Sequence, residues 1–400
     1  MASNHDASSQ RLFTVPFLMM SLSAMLFFAS MYLLIPLLPL YTVEIGGHSS
    51  DVGLVVGAFT ITAVLVRPRA GTISDTIGRK PLFLGGSLVF MLAPLTYLFA
   101  QSVPLLMLAR TFHGTGIALY TVGAWALVAD TLPPHRRGEG MGVYSLASLL
   151  TMSVLPPLAL PLLDVVGFQG LFVLASVLAA ASLAIGLTIN ERRTKAASSV
   201  GPDFLSVMRG RWLWGPSLAI VAGGITFGTI LSFIPLFTAE QGIGNAGLFY
   251  AVYAVSTVLT RIPIGRMSDR VGREWLIVPI LVLTTVSMFT LSQSSSLLHF
   301  LAAAVLYGAS YGSLLPTVTA LVIDRASDRV RGTALSIVTS SFDLGIGLGS
   351  AALGFVGGLA NYAAIYVVAG MLSVLGLAGF LLLDRRGERR QASERRRPSD

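Results

Sequence analysis

The chain has 400 residues, of which 54% are hydrophobic and only 12% are charged. Because soluble domains carry about 25% charged residues, the composition excludes an ordinary water-soluble protein, and the lack of cysteine excludes disulfides and cysteine metal sites. The net charge of +8 would suit a nucleic-acid-binding protein, but nearly all basic residues flank apolar runs, at the N-terminus, in the connections or in the tail, which is typical of a membrane protein.

Apolar runs long enough to cross a bilayer, about 17–25 residues each, fill most of the chain. They predict an all-α integral membrane protein with twelve transmembrane helices, at roughly 14–40, 49–70, 81–101, 103–130, 139–163, 168–189, 213–239, 246–266, 275–293, 296–323, 332–358 and 361–383. The first run is longer than the apolar part of a signal peptide and is followed by more spans, so we expect it to remain in the protein.

The basic residues also predict the orientation of these spans. Of the 27 Lys and Arg, 26 lie at the N-terminus, in the even-numbered connections between spans or in the tail. The odd-numbered connections contain no Lys or Arg. Because positive residues concentrate on the cytoplasmic side, we expect a multi-pass protein of the cell membrane with both termini in the cytoplasm. The remaining cation, Arg110, lies inside the fourth span.

A polar segment at 190–212 divides the spans into two sets of six. The predicted organisation is a cytoplasmic N-terminal segment (1–13), a six-helix lobe (14–189), a cytoplasmic linker (190–212), a second six-helix lobe (213–383) and a basic cytoplasmic tail (384–400). Seven arginines in the last sixteen residues make the tail typical of a solvated flank that is attracted to anionic lipid.

One motif of the first half recurs in the second half at an offset of 194 residues. The repeated positions are Arg67, Gly71, Ser74, Asp75, Gly78 and Arg79, matched by Arg261, Gly265, Ser268, Asp269, Gly272 and Arg273. Asp130, near the end of the fourth span, is matched by Asp324 at the same offset. A constant offset indicates two copies of one structural unit. At Gly71 and Gly265 we expect a close approach of two helices or a turn.

The stretch from Gly71 to Lys80 resembles the signature loop between the second and third helices of the major facilitator superfamily, and its copy has the same shape. The resemblance covers nearly the whole chain and implies two pseudo-symmetric six-helix lobes. It also implies a cytoplasmic gate that is latched by charged residues, here Asp75, Arg79 and Asp130 with their copies Asp269, Arg273 and Asp324. The alternative is that these charges only fix topology and cap helix ends.

The stretch from Leu108 to Gly116 resembles the helix-four motif of drug/proton antiporters in the same superfamily, with His113 where glutamine is usual. An arginine inside a span costs at least about 2.5–3.5 kcal/mol on insertion scales. We therefore expect Arg110 to face the protein interior or water and to act in coupling or substrate binding; the alternative is that it snorkels to the outer face. His113 lies on the same helix face at i+3, either as a titrating group or as a hydrogen-bonded helix contact.

The fifth and eleventh spans depart from the antiporter pattern. Antiporters usually carry Gly-Pro in helix five, whereas this chain has Pro156, Pro157 and Pro161, which predict a sharp bend there. Glycines gather in the eleventh span instead and predict close helix packing. These glycines are Gly345, Gly347, Gly349, Gly354, Gly357 and Gly358.

Asp343 lies about eleven residues, hence about 16 Å, from the cytoplasmic end of the eleventh span. This depth is close to the bilayer midplane, where transporter sites concentrate. Asp343 is therefore a candidate carrier of protons or substrate, with Tyr311 as a further candidate. The alternative is a structural acid that is satisfied by hydroxyl groups such as those of Ser340, Ser341 or Tyr311.

Together these features predict a secondary active transporter that works by alternating access and exports a small amphipathic, neutral or anionic compound against protons. We expect the lipid bilayer, a small-molecule substrate and protons as partners, no nucleic acid, no cofactor or metal, and a monomer, since one chain holds both lobes. Two alternatives are proton-linked uptake or facilitated diffusion of a sugar or organic acid, and a receptor that senses a ligand without moving it. The five scattered histidines form no catalytic constellation, so we do not expect an enzyme.

Overall fold

The structure, a computed structural model, describes the backbone of residues 12–133, 136–191, 204–327 and 330–394. Regular structure in these ranges is helical, and they contain no strand. The helices in chain order are α1 (Val15–Leu34), α2 (Leu37–Glu44), α3 (Ser49–Ile77), α4 (Arg79–Tyr97), α5 (Val103–Thr131), α6 (Arg137–Thr188), α7 (Phe204–Met208), α8 (Trp214–Gln241), α9 (Ala246–Val271), α10 (Arg273–Ser292), α11 (Leu297–Arg325), α12 (Arg331–Leu359) and α13 (Tyr362–Glu394).

Several helix ends are set by local capping. The side chain of Thr14 accepts a hydrogen bond from Phe17 N at the start of α1, and that of Asn245 accepts one from Gly247 N (2.6 Å) at the start of α9. Such side chains satisfy backbone donors that the first turn leaves free. α8 ends at Gly242, whose φ of 64° favours glycine.

Eleven helical segments of the described chain are long and apolar enough to cross a membrane. The predicted fifth and sixth spans both fall within α6, whose 52 residues would extend about 78 Å as one straight helix. That is far more than the bilayer core of about 30 Å. Gly167, at φ 66°, interrupts the helical backbone between the two spans, so the chain has the predicted all-α membrane fold.

The prolines of the fifth span lie inside α6, and the non-helical residue that separates its two parts is Gly167. A bend at Pro156, Pro157 and Pro161 stays a prediction. The first span, predicted as continuous, is instead divided into α1 and α2 at Ile35 and Pro36. Proline has no backbone N–H to continue the hydrogen-bond ladder, which accounts for this interruption.

The chain forms two compact units. Met1–Gly47 and Ala58–Ala197 make up unit 1, and His48–Gly57 and Ser198–Asp400 make up unit 2. The first turns of α3 therefore belong with the second half of the chain. Their packing on α12 explains this grouping, because Ser49 Oγ donates to Gly354 O (3.1 Å) and a Cβ on Gly354 would meet Ser50 Cα at 3.2 Å. The predicted lobe bounds themselves stay a prediction.

The core of unit 1 forms where α1 packs against α5 and α6. The rings of Phe27 and Tyr120 stack at 3.5 Å with 6° between their planes. The hydroxyls of Ser23 and Ser182 lie 2.8 Å apart and link α1 to α6 inside this core. The paired hydroxyls satisfy each other's hydrogen bonding inside the core, and the stacked rings supply apolar contact area.

In unit 2, α8 and α12 approach so closely that their main chains touch. A Cβ on Gly224 would lie 3.0 Å from Gly345 Cα, and one on Gly349 would lie 2.6 Å from Ile225 O. Any larger residue at these positions would push the helices apart. The close packing predicted for the glycines of the eleventh span is confirmed at Gly345 and Gly349.

Candidate functional site

The gate motif of unit 1 forms an ion pair between α4 and α5. Arg79, the first residue of α4, pairs through Nη1 with the Asp130 carboxylate near the end of α5, and the same nitrogen donates to Ala126 O (3.1 Å). Both charged side chains are partly buried. The structure thus brings together Arg79 and the acid near the end of the fourth span, as the family resemblance implied.

The second copy repeats this pairing in unit 2. Arg273 Nε lies 2.7 Å from Asp324 Oδ2. Each arginine follows a glycine with positive φ, 112° at Gly78 and 99° at Gly272. These backbone angles require glycine, which explains the Gly-Arg pair in both copies.

Other members of the motif are placed differently. Asp75 and Asp269 lie in α3 and α9, but their side chains are outside the described part of the structure. Gly71 and Gly265 lie inside the same helices, and among the described residues nothing lies within 4 Å of where their Cβ atoms would be. The expected turn or close helix approach at these two glycines was therefore wrong for this structure.

A second charged cluster, which the sequence did not predict, joins the start of α10, the end of α11 and Asp384 within α13. Arg325 binds Asp384 through two hydrogen bonds (2.5 and 2.9 Å) and Glu274 through a third (2.7 Å). The side chains of Arg325 and Asp384 are only 10% and 8% exposed. The first half has no such cluster in its sequence, since the positions 194 residues earlier are Lys80, Thr131 and Asn190.

Arg110 lies in the interior of unit 1, as predicted, and does not snorkel outwards. Its side chain is buried, its guanidinium carbon lies 4.1 Å from the centre of the Phe59 ring, and Nη1 donates to Tyr97 Oη (3.4 Å). A cation over an aromatic face is stabilised by the ring quadrupole. The burial of this arginine within a span keeps it a candidate functional residue.

His113 is held by Tyr97, a residue of α4 that sequence reasoning missed. Tyr97 Oη lies 2.6 Å from His113 Nδ1, and both side chains are buried. Tyr97 Oη accepts from Arg110 Nη1 and also shares a hydrogen bond with His113 Nδ1, so one hydroxyl of α4 ties both residues of α5. This arrangement favours the alternative of a hydrogen-bonded helix contact for His113.

Glycines bring α5 close enough to its neighbours for these contacts. A Cβ on Gly114 would meet Thr62 Cβ in α3 at 3.0 Å, and one on Gly116 would meet Val89 Cγ1 in α4 at 2.8 Å. Small residues allow the helix backbones to approach in this way. These two glycines thereby place His113 close to α3 and α4.

We expect Tyr97→Phe to destabilise the protein, because the variant leaves the buried Nδ1 of His113 without its hydrogen-bond partner. Loss of one partner of a buried hydrogen bond costs about 1–3 kcal/mol, which should lower the melting temperature of the purified protein. Tyr366→Phe is a matched control, because the buried Tyr366 hydroxyl has no hydrogen-bond partner among the described residues. Equal melting temperatures for the two variants would contradict the hydrogen-bond assignment.

Asp343 and Tyr311 lie in unit 2, beside a group of aromatic rings. Tyr311 stacks on Phe227 at 4.3 Å, and its ring centre lies 6.1 Å from that of Phe342, the residue before Asp343. Asp343 is partly buried within α12, about 18 Å along the helix from its first residue. Ser341 donates its hydroxyl to Ile337 O (2.8 Å), in its own helix.

No group of three or more His, Asp or Glu that could hold a metal ion occurs in the portion of the chain that the structure describes. Several of the charged groups found there form ion pairs between helices. The Arg79–Asp130 and Arg273–Asp324 pairs, the Arg110 group and Asp343 are the polar features from which a function can be argued.

Comparison with known proteins places this arrangement in a family. The profile described as Major Facilitator Superfamily matches residues 20–259 and 242–399. The staphylopine export protein of Staphylococcus aureus (strain Mu50) is 24% identical over 373 residues, which cover 90% of this chain and 94% of that protein. The quinolone resistance protein NorA of Staphylococcus aureus (strain MRSA252) is 31% identical over 120 residues, 30% of this chain and 31% of that protein.

Solved structures show the same fold. The crystal structure of the nucleoside transporter NupG superposes with a TM-score of 0.77 at 12% identity and covers 92% of this chain and 99% of that one. At this identity the likeness concerns the fold alone. The fold and the relatives are those of transporters rather than enzymes, and the family profile covers most of the chain. The chain is therefore a multi-pass membrane transporter that belongs to the major facilitator superfamily.

Proposed function

We propose that the chain is a proton-driven exporter of a small amphipathic compound, neutral or anionic, and that it works by alternating access. The observation that carries this proposal is the similarity, over 90% of the chain, to a protein named for export. Buried charge inside spans adds support, since Arg110 and Asp343 occupy positions where an ionisable group is costly and is usually functional. Asp343 would carry the proton, with Arg110 and His113 as coupling or substrate residues.

The two Arg–Asp pairs would serve as parts of the cytoplasmic gate. Each pair joins the first residue of one helix to the end of another within its own unit, which is where a latch must act if these helix ends move during transport. In this proposal the termini and the gate lie on the cytoplasmic side of the plasma membrane, as the positive residues predict, and the transporter is a monomer.

A second candidate function keeps the fold and reverses the direction: proton-linked uptake or facilitated diffusion of a sugar or organic acid. The solved nucleoside transporter shares the fold, and the fold by itself sets neither the substrate nor the direction. The named relatives favour export. A receptor that does not transport is the remaining alternative.

The test is substrate movement in everted membrane vesicles under an imposed pH gradient. With an acidic lumen, a proton-coupled exporter accumulates its substrate in the vesicles, whereas proton-linked uptake would drive the substrate out of them. A panel of amphipathic neutral and anionic compounds, including a quinolone, would be assayed for accumulation and for counterflow. Accumulation that ignores the pH gradient would contradict proton coupling, and counterflow of no compound would favour the receptor.

A further inference from the structure

The end of α6 is fastened to the beginning of α4 by one carboxylate. Glu191 Oε1 accepts a hydrogen bond from the backbone N–H of Arg79 (2.8 Å). Arg79 opens α4, and the first N–H groups of a helix have no partner within the helix. The carboxylate therefore satisfies a free donor and places negative charge at the positive end of the helix dipole.

Gly78 makes room for this contact. A Cβ at Gly78 would lie 3.1 Å from Glu191 Oε2 and 3.3 Å from Oε1. Glycine is therefore needed at position 78 for two reasons. Its φ is positive, and the Glu191 carboxylate lies where a side chain would begin. A second link runs beside it, since Lys80 Nζ donates to Leu187 O (3.1 Å) near the end of α6.

Arg79 is thereby held from two sides within unit 1. Its main chain is bound by Glu191, and its guanidinium is bound by Asp130 and by Ala126 O. Because the guanidinium can reach Asp130 only if α4 starts at the correct place, the backbone contact controls the gate pair.

The second half does not use this contact. The position 194 residues after Glu191 is Arg385, and among the described residues a Cβ at Gly272 would meet Trp275 Cδ1 alone, at 3.7 Å. There α13 is joined to the start of α10 through Asp384, Arg325 and Glu274 instead. The contact of Glu191 is thus a property of unit 1 and not of the repeat in general.

We propose that Glu191 is a positioning residue of the unit 1 gate: it caps α4 so that Arg79 meets Asp130, and it links the exit of α6 to the gate pair. This inference rests on the gate role proposed above. It predicts that loss of the carboxylate slows transport without weakening substrate binding, since Glu191 acts through Arg79 and not on the substrate.

The direct test is hydrogen exchange of the full-length protein, compared with Glu191→Ala and Glu191→Gln. In Glu191→Ala the first-turn amides of α4 should exchange roughly threefold to tenfold faster, and the first-turn amides of α10 should not change, which makes α10 an internal control. Glu191→Gln keeps an acceptor oxygen but loses the charge, so an intermediate rate is expected. Unchanged exchange in α4 would overturn the cap.

A double-mutant cycle then tests the link to the gate. Gly78→Ala and Gly272→Ala introduce a side chain at similar positive φ, but only the Cβ at Gly78 meets the Glu191 carboxylate. Gly78→Ala should therefore speed the exchange of the first-turn amides of α4 more than Gly272→Ala speeds that of the first-turn amides of α10. In the Glu191→Ala background the two glycine substitutions should have equal effects. An excess that persists there would overturn the assignment.

Transport measurements separate this inference from the proposed function. Glu191→Ala should lower the maximal rate of counterflow at least about threefold and leave the KM for the same substrate within about twofold. An altered KM with an unchanged maximal rate would contradict a positioning role. Wild-type protein without any counterflow would instead contradict the proposed function, and the exchange result for α4 would still stand or fall by itself.

Discussion

Replacing Asp343 with asparagine is expected to abolish proton-driven accumulation while leaving substrate counterflow intact. The two side chains have the same shape, and both accept hydrogen bonds, but asparagine cannot bind or release a proton. Asp343 is partly buried within α12, about 18 Å from its first residue. An ionised acid at such a depth in a membrane is energetically costly, so an acid that is present there points to a function.

The measurement is accumulation in everted vesicles with an acidic lumen, together with counterflow in proteoliposomes without a pH gradient. We expect accumulation to fall at least about tenfold, equivalent to about 1.4 kcal/mol of lost driving force. Asp164→Asn provides the control, because Asp164 is an exposed acid of α6 and its loss should change neither assay. Full accumulation by the Asp343 variant would remove this residue from the coupling mechanism.

Replacing Arg325 with leucine should produce the largest loss of stability. The arginine holds two carboxylates, and its own side chain and that of Asp384 are almost fully buried. Removing one member of a buried ion pair leaves the other charge without compensation, at a cost of about 3–5 kcal/mol. Asp384 would then remain buried within α13 without its cation.

Thermal unfolding of the purified protein measures this effect. Arg136→Leu serves as the control, since Arg136 pairs with Glu139 (2.7 Å) in a more exposed setting, with 34% and 53% of the two side chains accessible. Exposed pairs contribute only about 0–1 kcal/mol. Arg325→Lys should be intermediate, because lysine keeps the charge but not the planar fork. Similar melting temperatures for Arg325→Leu and Arg136→Leu would show that the cluster has no special role.

The predictions from sequence succeeded where a pattern extends over many residues. Apolar runs were sufficient for the all-α membrane fold, and the loop motif from Gly71 to Lys80 with its copy carried the resemblance to the family. The pairing of Arg79 with Asp130 was implied by the resemblance, because the motif fixes which residue types recur together. Burial of Arg110 followed from the cost of placing a charge in a span.

Contacts between two residues that are far apart in the sequence left no pattern from which they could be predicted. Tyr97 belongs to a different helix from His113, and Glu191 is 112 residues from Arg79. Both depend on how far each helix is rotated about its axis, which hydrophobic periodicity does not fix. The cluster around Arg325 could have been suspected from the mismatch between the halves, since neutral Thr131 occupies the matching position.

The different fastening of the two units limits how their sequences can be exchanged. A chain built from two copies of the first half would have Lys80, Thr131 and Asn190 in place of the cluster around Arg325. A chain built from two copies of the second half would have arginine in place of Glu191. Each half thus holds its helix ends together by contacts of its own, and a transfer of the gate motif alone would not carry those contacts with it.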